Sequence, residues 1–159
     1  MQKPRIYVET SVWSYAFADD APESRLATLA FFDFARSGKY DLFLSEVVLA
    51  EIGRATQELA KSLRELIQDI RPAQLELDRE SDQLAQVFLE SGAVPPSKVE
   101  DAQHVAVAVV NELDMLVSWN YRHLVNVRRR EAFQHISAMR GYYKPLHIVT
   151  PQEIGDADE

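Results

Sequence analysis

Four polar side chains in this sequence stand where apolar segments begin or end: Glu9, Glu51, Asp101 and Asn120. Three of them are carboxylates and the fourth is an amide, and hard divalent cations such as Mg²⁺ and Mn²⁺ prefer oxygen ligands of this kind. The chain contains no cysteine, which excludes thiol nucleophiles and thiolate metal sites. A fold that brings these four side chains together would create an oxygen-ligand metal site.

Glu9 and Asn120 each follow an apolar segment that is typical of a strand. Glu9 comes directly after the run IYV and before two hydroxyl residues, and Asn120 comes directly after MLVSW. A buried strand that ends in polar residues must present them to solvent or to a site. In an open α/β sheet, ligands bind beyond the carboxyl ends of the strands. Both residues are therefore predicted to lie at that edge of the sheet.

Glu51 and Asp101 are predicted to lie on helices. Ser45 is placed to cap the helix that contains Glu51, and the apolar neighbours of Glu51 force one face of this helix into the core. Its carboxylate must then be exposed at an edge, paired, or held at a site. Asp101 lies in the first turn of the most apolar helical segment, where the helix dipole favours a negative charge even without a ligand. Each acid, taken singly, has an ordinary structural explanation.

Strand and helix patterns alternate along the whole chain. Ser24 is predicted to cap the first helix and Gly38 to end it. The alternation, with right-handed crossovers, predicts an α/β fold of three layers, an α/β/α sandwich with a mostly parallel central sheet, formed by residues 1–159 as a single domain. The predicted strands are 6–8, 40–45, 73–78, 115–119 and 146–150, and the predicted helices are 25–39, 46–71, 80–92, 99–113 and 121–141.

The overall composition limits the possible classes of function. With 159 residues, 47% hydrophobic and 26% charged, the chain is close to the average for soluble globular proteins. It has neither the ~20 uninterrupted apolar residues of a membrane span nor a signal-peptide core, so we expect a cytoplasmic protein without a membrane partner. The net charge of −8 argues against a general nucleic-acid binder. It does not exclude a nuclease, because a carboxylate cluster that holds metal is itself acidic.

One dense basic segment follows Asn120. Arg122 and His123 are nearest to the predicted site and are candidates for binding a phosphate backbone. The run 128–130, three arginines, is explained either in the same way or as a solvated helix face that pairs with Glu131 and the acidic C-terminal tail. His104 lies three residues after Asp101 on the same helical face, and a hydrogen-bonded position in the core is its ordinary explanation.

Four segments in order, YVETSV, SEVVLAEI, EDAQHVAVA and LVSWNYRHL, resemble the signature segments of the PIN domain. This is the metal-dependent nuclease fold of VapC-type toxins in bacterial toxin–antitoxin pairs, and the resemblance covers nearly the whole chain. By position, Glu9 matches the acid after the first strand, which is usually Asp, and Glu51 matches the helical Glu. Asp101 matches the Asp that opens the buried helix, and Asn120 matches the last acidic position.

The resemblance implies a Mg²⁺- or Mn²⁺-dependent ribonuclease that acts on RNA, has an antitoxin protein as partner and forms a homodimer. In the family, one or two ions activate a water molecule for in-line attack on the phosphodiester, which leaves a 5′-phosphate and a 3′-hydroxyl. The three acids would be metal ligands and Asn120 a ligand or water holder. Thr10 or Ser11 matches the hydroxyl that holds the metal or its water.

Two departures from the PIN pattern leave an alternative open. Glu9 adds a methylene to the usual Asp, and Asn120 removes a negative charge that would help to bind metal. The alternative is a catalytically degenerate PIN domain that binds RNA or a protein without cutting. An α/β phosphatase with a nucleophilic carboxylate after the first strand is disfavoured, because ETSVW lacks the second Asp two residues on that would serve in acid–base chemistry.

Overall fold

The structure of this chain is a computed structural model that describes residues 2–155. In that range, five strands alternate with eight helices. The strands are β1 (Arg5–Val8), β2 (Asp41–Ser45), β3 (Ala73–Leu75), β4 (Met115–Val117) and β5 (His147–Val149). The helices are α1 (Thr10–Tyr15), α2 (Pro22–Arg36), α3 (Glu46–Ile52), α4 (Gln57–Ile70), α5 (Arg79–Glu90), α6 (Val99–Val110), α7 (Val127–Met139) and α8 (Pro151–Gly155).

The five strands form one sheet in the order β3-β2-β1-β4-β5, and every neighbouring pair is parallel. The chain runs outward from β1 to β3 and then crosses back to place β4 on the other side of β1. The strand order therefore reverses beside β1, which is the position where open α/β sheets bind ligands. The predicted three-layer α/β/α sandwich is confirmed, and the sheet is wholly rather than mostly parallel.

The core lies on both faces of β1 because this strand is central. Ile6, Tyr7 and Val8 are fully buried, as expected for a strand with helices on both of its faces. Helix α6 is apolar around nearly its whole circumference, and Ala102 and Ala106 are among its fully buried residues. Within residues 2–155, no helix combines the length and apolar character that crossing a bilayer requires.

Some predicted helix boundaries are confirmed and others are wrong. Ser45 caps α3, with its Oγ accepting from Val47 N at 3.1 Å, and Gly38, with φ of +85°, follows the end of α2. Ser24 is not a cap, because α2 already begins at Pro22, a residue that suits the first helical turn. The helix predicted over 46–71 is divided into α3 and α4, and Thr56 caps the second part through its Oγ1.

Two further differences concern segments next to the predicted site. The helix expected from residue 121 begins only at Val127, because Asn126 accepts from Arg129 N and so caps α7. Residues 121–126 are a loop instead. The short helix α1, which was not predicted, starts directly after β1 with Glu9 as its cap. Both caps are polar side chains that follow strands β1 and β4 in the chain, and one of them, Glu9, is also a candidate site residue.

Phe88 tests the packing of α5 against α7. Its fully buried ring lies edge-to-face on Phe133, with ring centroids 5.1 Å apart. Phe88→Ala is expected to lower the free energy of unfolding by about 3–5 kcal/mol, because it leaves a cavity. Leu26→Ala, at a side chain that is 69% exposed, should change it by less than about 0.5 kcal/mol. Urea unfolding measures both, and similar losses would contradict this packing.

Candidate functional site

Glu9 lies at the carboxyl end of the central strand and is buried there. Its Oε2 accepts from the backbone N of Ser11 at 3.1 Å, which makes it the cap of α1. Its Oε1 accepts from Ser11 Oγ at 2.5 Å and from Ser118 Oγ at 2.6 Å. Three hydrogen-bond donors from two segments therefore fix both oxygens of this carboxylate, and charge-assisted hydrogen bonds of this kind are strong.

Glu51 is joined to the core by a chain of hydrogen bonds. Its Oε1 accepts from Thr10 Oγ1 at 2.7 Å and lies 2.5 Å from Nε2 of His104. On the other side of the imidazole, Nδ1 is 2.7 Å from the hydroxyl of Tyr7, which in turn is 2.8 Å from Ser45 Oγ. The chain connects the cap of α3, the middle of β1 and the buried face of α6. It fixes the orientation of the imidazole at the site.

The Glu51–His104 contact is a hydrogen bond between two groups whose pKa values are both shifted. Burial opposes charge on both groups, raising the pKa of Glu51 and lowering that of His104. The hydrogen bond and opposite charge of His104 outweigh this for Glu51, and the net pKa of its carboxyl lies below the ordinary value. The hydrogen bond to Glu51 and the negative charges of Glu9, Glu51 and Asp101 raise the net pKa of His104. Both directions favour an imidazolium paired with a carboxylate.

Asp101 faces the same negative charges without a comparable partner. Burial raises the pKa of its carboxyl to about 6, and repulsion by Glu9 and Glu51 adds to the effect. The positive charge of His104 and a hydrogen bond from the Asn120 side chain oppose the shift only in part. A carboxylate in this position gains from any additional cation.

Asn120 organises the rim beside Asp101. Its backbone N donates to Ser118 Oγ at 2.9 Å, and its Oδ1 accepts from the backbone N of His123 at 3.0 Å. The ring of His123 then lies with Nδ1 3.3 Å from Asp101 Oδ2. The amide therefore holds the loop after β4 in place and positions His123 against the carboxylate.

The four predicted site residues converge at one edge of the sheet, in two adjoining groups. Glu9 and Glu51 form a cluster with His104, in which one ligand atom of each residue lies within 4.8 Å of the others. Asp101 and Asn120 line a neighbouring pocket of about 220 Å³ together with Glu51 and His123. Arg122 instead lines a second pocket, on the far side of His123.

The hydroxyls of Thr10 and Ser11 donate to Glu51 and Glu9 respectively, and their role in holding the metal or its water stays a prediction. The prediction of a hydrogen-bonded core position for His104 is confirmed, since it is fully buried and bonded to Tyr7 and Glu51. Its place in the cluster with Glu9 was not predicted. The available signal was its spacing of three residues from Asp101, which puts both on one face of α6. The chain offered no signal for the role of Ser118, because its partner Glu9 is 109 positions away.

The donor set fits a divalent cation. Ligand atoms of two carboxylates and an imidazole lie within 4.8 Å of one another, and beside them Asp101 adds a third carboxyl group, whose pKa is raised by burial and by repulsion from Glu9 and Glu51. Carboxylate oxygens suit Mg²⁺ and Mn²⁺ alike, whereas an imidazole nitrogen suits the transition metal better than Mg²⁺. The residues present therefore match a mixed oxygen and nitrogen site.

No protein-family model and no curated protein matches this chain. Among solved structures, a chain in the crystal structure of VapBC2 from Rickettsia felis, bound to a DNA fragment from the promoter, is similar in fold. The TM-score is 0.55 and the identity is 16%, and the match covers 91% of this chain and 98% of the other. The likeness therefore extends over nearly the full length of both chains and shows that they share the fold.

Asp101→Asn is expected to stabilise the metal-free protein near pH 7, because Asn replaces a carboxylate that repulsion disfavours. The folded pKa of about 6 lies above the ordinary value of 3.8. The native state therefore holds this proton more tightly, and the wild type loses stability as the pH rises from 3.8 to about 6. In EDTA, the Tm of Asp101→Asn should exceed that of the wild type by roughly 2–5 °C near pH 7.

Below the ordinary pKa of 3.8 the difference should vanish, because Asp101 is then protonated in both states. Glu112→Gln is the control, since it removes a negative charge just beyond the far end of α6, which is roughly 14 Å from Asp101 along the helix axis. It should leave the Tm nearly unchanged at both pH values. A gain for Asp101→Asn that is independent of pH would contradict the repulsion described above.

Proposed function

We propose that this chain is a PIN-type, metal-dependent ribonuclease of the VapC-like toxin class, with residues 1–159 as a single domain that acts in the cytoplasm. One observation carries the proposal. Glu9, Glu51 and His104 form a compact ligand cluster, with Asp101 beside it, at the carboxyl edge of the central strand. The fold in which this cluster occurs is shared with a chain of the VapBC2 complex.

Glu9, Glu51 and His104 would hold Mn²⁺ or Mg²⁺, with Asp101 on the open side. When bound, such a cation supplies activation of a water molecule and neutralisation of the charge that develops on phosphate oxygens. Ser11, Ser118 and Thr10 hold the two glutamates in place by hydrogen bonds, as second-layer partners of metal ligands generally do. The hydroxyl of Tyr7 fixes the ring of His104.

The substrate side of the site is the pocket of about 220 Å³ beside the carboxylates. Lys98 and His123 line it together with Asp101, so positive and neutral donors stand opposite the acids. A phosphodiester in this pocket would accept hydrogen bonds from Lys98 and His123 and would be oriented towards the cluster. Arg122, the next residue along the chain, would contact the backbone beyond it.

We also propose an antitoxin protein and a second copy of the chain as partners. The supporting observation is that the structural neighbour belongs to a VapBC2 complex bound to promoter DNA. The net charge of −8 agrees with this assignment, because promoter DNA would need a basic partner rather than this acidic chain.

A second candidate function is a PIN domain that binds RNA or protein without cutting. The Glu51–His104 ion pair favours it, because an imidazolium can neutralise part of the acidic site where a metal would otherwise do so. The three donors to Glu9 have the same effect. Under this alternative the site is complete without a cation, so direct metal binding separates the two functions.

Metal binding should be measured by isothermal titration of EDTA-stripped protein. Mn²⁺ is expected to bind more tightly than Mg²⁺, because His104 supplies nitrogen. Glu51→Gln should weaken Mn²⁺ binding at least about tenfold, since it removes a charged ligand, whereas Glu112→Gln should match the wild type. Folded wild-type protein that takes up neither metal would support the non-cutting alternative.

RNA cleavage tests the proposed activity directly. Purified protein free of any antitoxin should cut a mixed set of labelled RNAs in Mn²⁺ and not in EDTA. Asp101→Asn should lower the rate by at least about a hundredfold, because the site loses a negative group that faces the cation. Glu112→Gln should cut at the wild-type rate. Cleavage that persists in EDTA, or in Asp101→Asn, would rule out this site as the source of activity.

A further inference from the structure

A pocket of about 380 Å³ adjoins the carboxylate site and is lined by positive charge. Arg122 contributes from the loop after β4, and Arg128 and Arg129 contribute from the first turn of α7. Ala93 and Asn126 complete much of the wall, and no carboxylate lines it. Because guanidinium groups repel each other, three of them around one cavity favour an anion inside it.

These three arginines, which we call the basic pocket arginines, have no ion-pair partner among residues 2–155. Among residues 2–155, the arginines that form ion pairs with acids are Arg25, Arg36 and Arg54. The predicted pairing with Glu131 is not formed within this range, and the acidic tail at 156–159 lies outside the described residues. Three arginines around one cavity that no carboxylate lines make a locally positive surface on a chain with 25 acidic and 17 basic residues.

The backbone around the basic pocket arginines is held firmly. Asn126 Nδ2 donates to the carbonyls of Tyr121 and Arg122, at 2.7 and 3.1 Å, and its Oδ1 accepts from Arg129 N at 3.0 Å. One guanidinium nitrogen of Arg129 donates to the carbonyl of Ala93 at 2.8 Å. The remaining N–H groups of Arg129 are left for a ligand. The positive end of the α7 dipole reinforces the charge of the pocket.

The basic pocket and the carboxylate site share one loop. Arg122 and His123 are consecutive, so their Cα atoms are about 3.8 Å apart, yet Arg122 lines the basic pocket and His123 lies against Asp101. The positive charges near the basic pocket also act on His123. Burial lowers the pKa of His123, and the charges of Lys98, Arg122 and Arg129 lower it further. The two pockets are therefore linked through consecutive residues of one loop.

We infer that Arg122, Arg128 and Arg129 form a second phosphate-binding site, which takes a backbone phosphate of an RNA strand whose neighbouring phosphodiester lies at the carboxylate site. The inference rests on the proposed ribonuclease function. Arginine forks match phosphate oxygens in bidentate geometry. RNA fits better than an acidic protein segment, because the adjoining site is suited to a phosphodiester and only a nucleic acid supplies phosphates to both pockets.

Arg130 provides a matched control from the same run of arginines. One of its guanidinium nitrogens donates to the carbonyl of Ile148, at 3.2 Å, so its side chain turns towards β5 and away from the basic pocket. Arg130→Gln removes the same charge from the chain as the substitution of a basic pocket arginine does. Comparison of the two separates a specific phosphate contact from a general change in net charge.

The experiment measures the affinity for a labelled single-stranded RNA of about 12 nucleotides by fluorescence anisotropy. EDTA is present so that the RNA is not cut, and the salt concentration is varied between about 50 and 200 mM. The double variant Arg122→Gln with Arg128→Gln should bind at least about tenfold more weakly. The slope of log affinity against log salt should fall by about 1.4, or about 0.7 for each lost contact. Arg130→Gln combined with Arg64→Gln, an exposed residue of α4, removes the same two charges outside the basic pocket and should keep the wild-type slope. The double variant retains the Arg129–Ala93 hydrogen bond, and circular dichroism would verify its fold.

Several outcomes would overturn the inference. One is a wild-type slope and affinity in the double variant. A second is obtained with a polyglutamate peptide that binds the wild type. If the double variant no longer binds this peptide but binds RNA as the wild type does, the pocket is a site for an acidic protein segment. If the wild type cuts RNA in Mn²⁺ but the wild type and the double variant have equal salt slopes, only this inference fails.

A different result separates the two proposals in the other direction. A wild type that binds Mn²⁺, and binds RNA with the expected slopes, but does not cut would contradict the ribonuclease function and leave the phosphate site supported. A wild type that binds no RNA at any salt concentration would overturn both.

Discussion

Like-charge repulsion among Glu9, Glu51 and Asp101 is the constraint around which this edge of the molecule is organised. Parallel strands bring their carboxyl ends together, so a fold of this class concentrates whatever polar groups follow its strands. Here those groups are acids, and holding them close has an electrostatic cost. Hydrogen bonds to Glu9 and the imidazolium beside Glu51 offset that cost for two of them. For Asp101, burial and this repulsion together raise the pKa of the carboxyl to about 6.

The same hydrogen bonds connect the site with the core. Tyr7 lies in the fully buried middle of β1, and its hydroxyl reaches both the α3 cap, Ser45, and the His104 ring on α6. A phenol buried in a core normally finds a partner of this kind. Because the three elements are fixed relative to each other by one hydroxyl, a shift in packing of α3 or α6 would move the Glu51 carboxylate. Core packing and site geometry are therefore not independent in this protein.

Opposite charges stand next to each other along the loop after β4. The carboxylate site is negative and the basic pocket is positive, and only His123 separates Arg122 from Asp101. The net charge of −8 repels polyanions at long range, whereas the pocket attracts them at short range. For a nucleic acid, such an arrangement would make binding local and strongly dependent on salt.

Local sequence patterns were enough to predict the alternation of strands and helices, the polar ends of β1 and β4, the Ser45 cap and the position of Asp101 in the first turn of α6. These features depend on neighbours within a few residues. Long-range packing, in contrast, pairs His104 with Glu51, brings Ser118 to Glu9, and places Arg128 and Arg129 around a pocket that Arg130 does not line. The partners of these side chains come from elements far away in sequence. Local periodicity places a side chain on a face of its own helix, but packing between elements decides what that face meets.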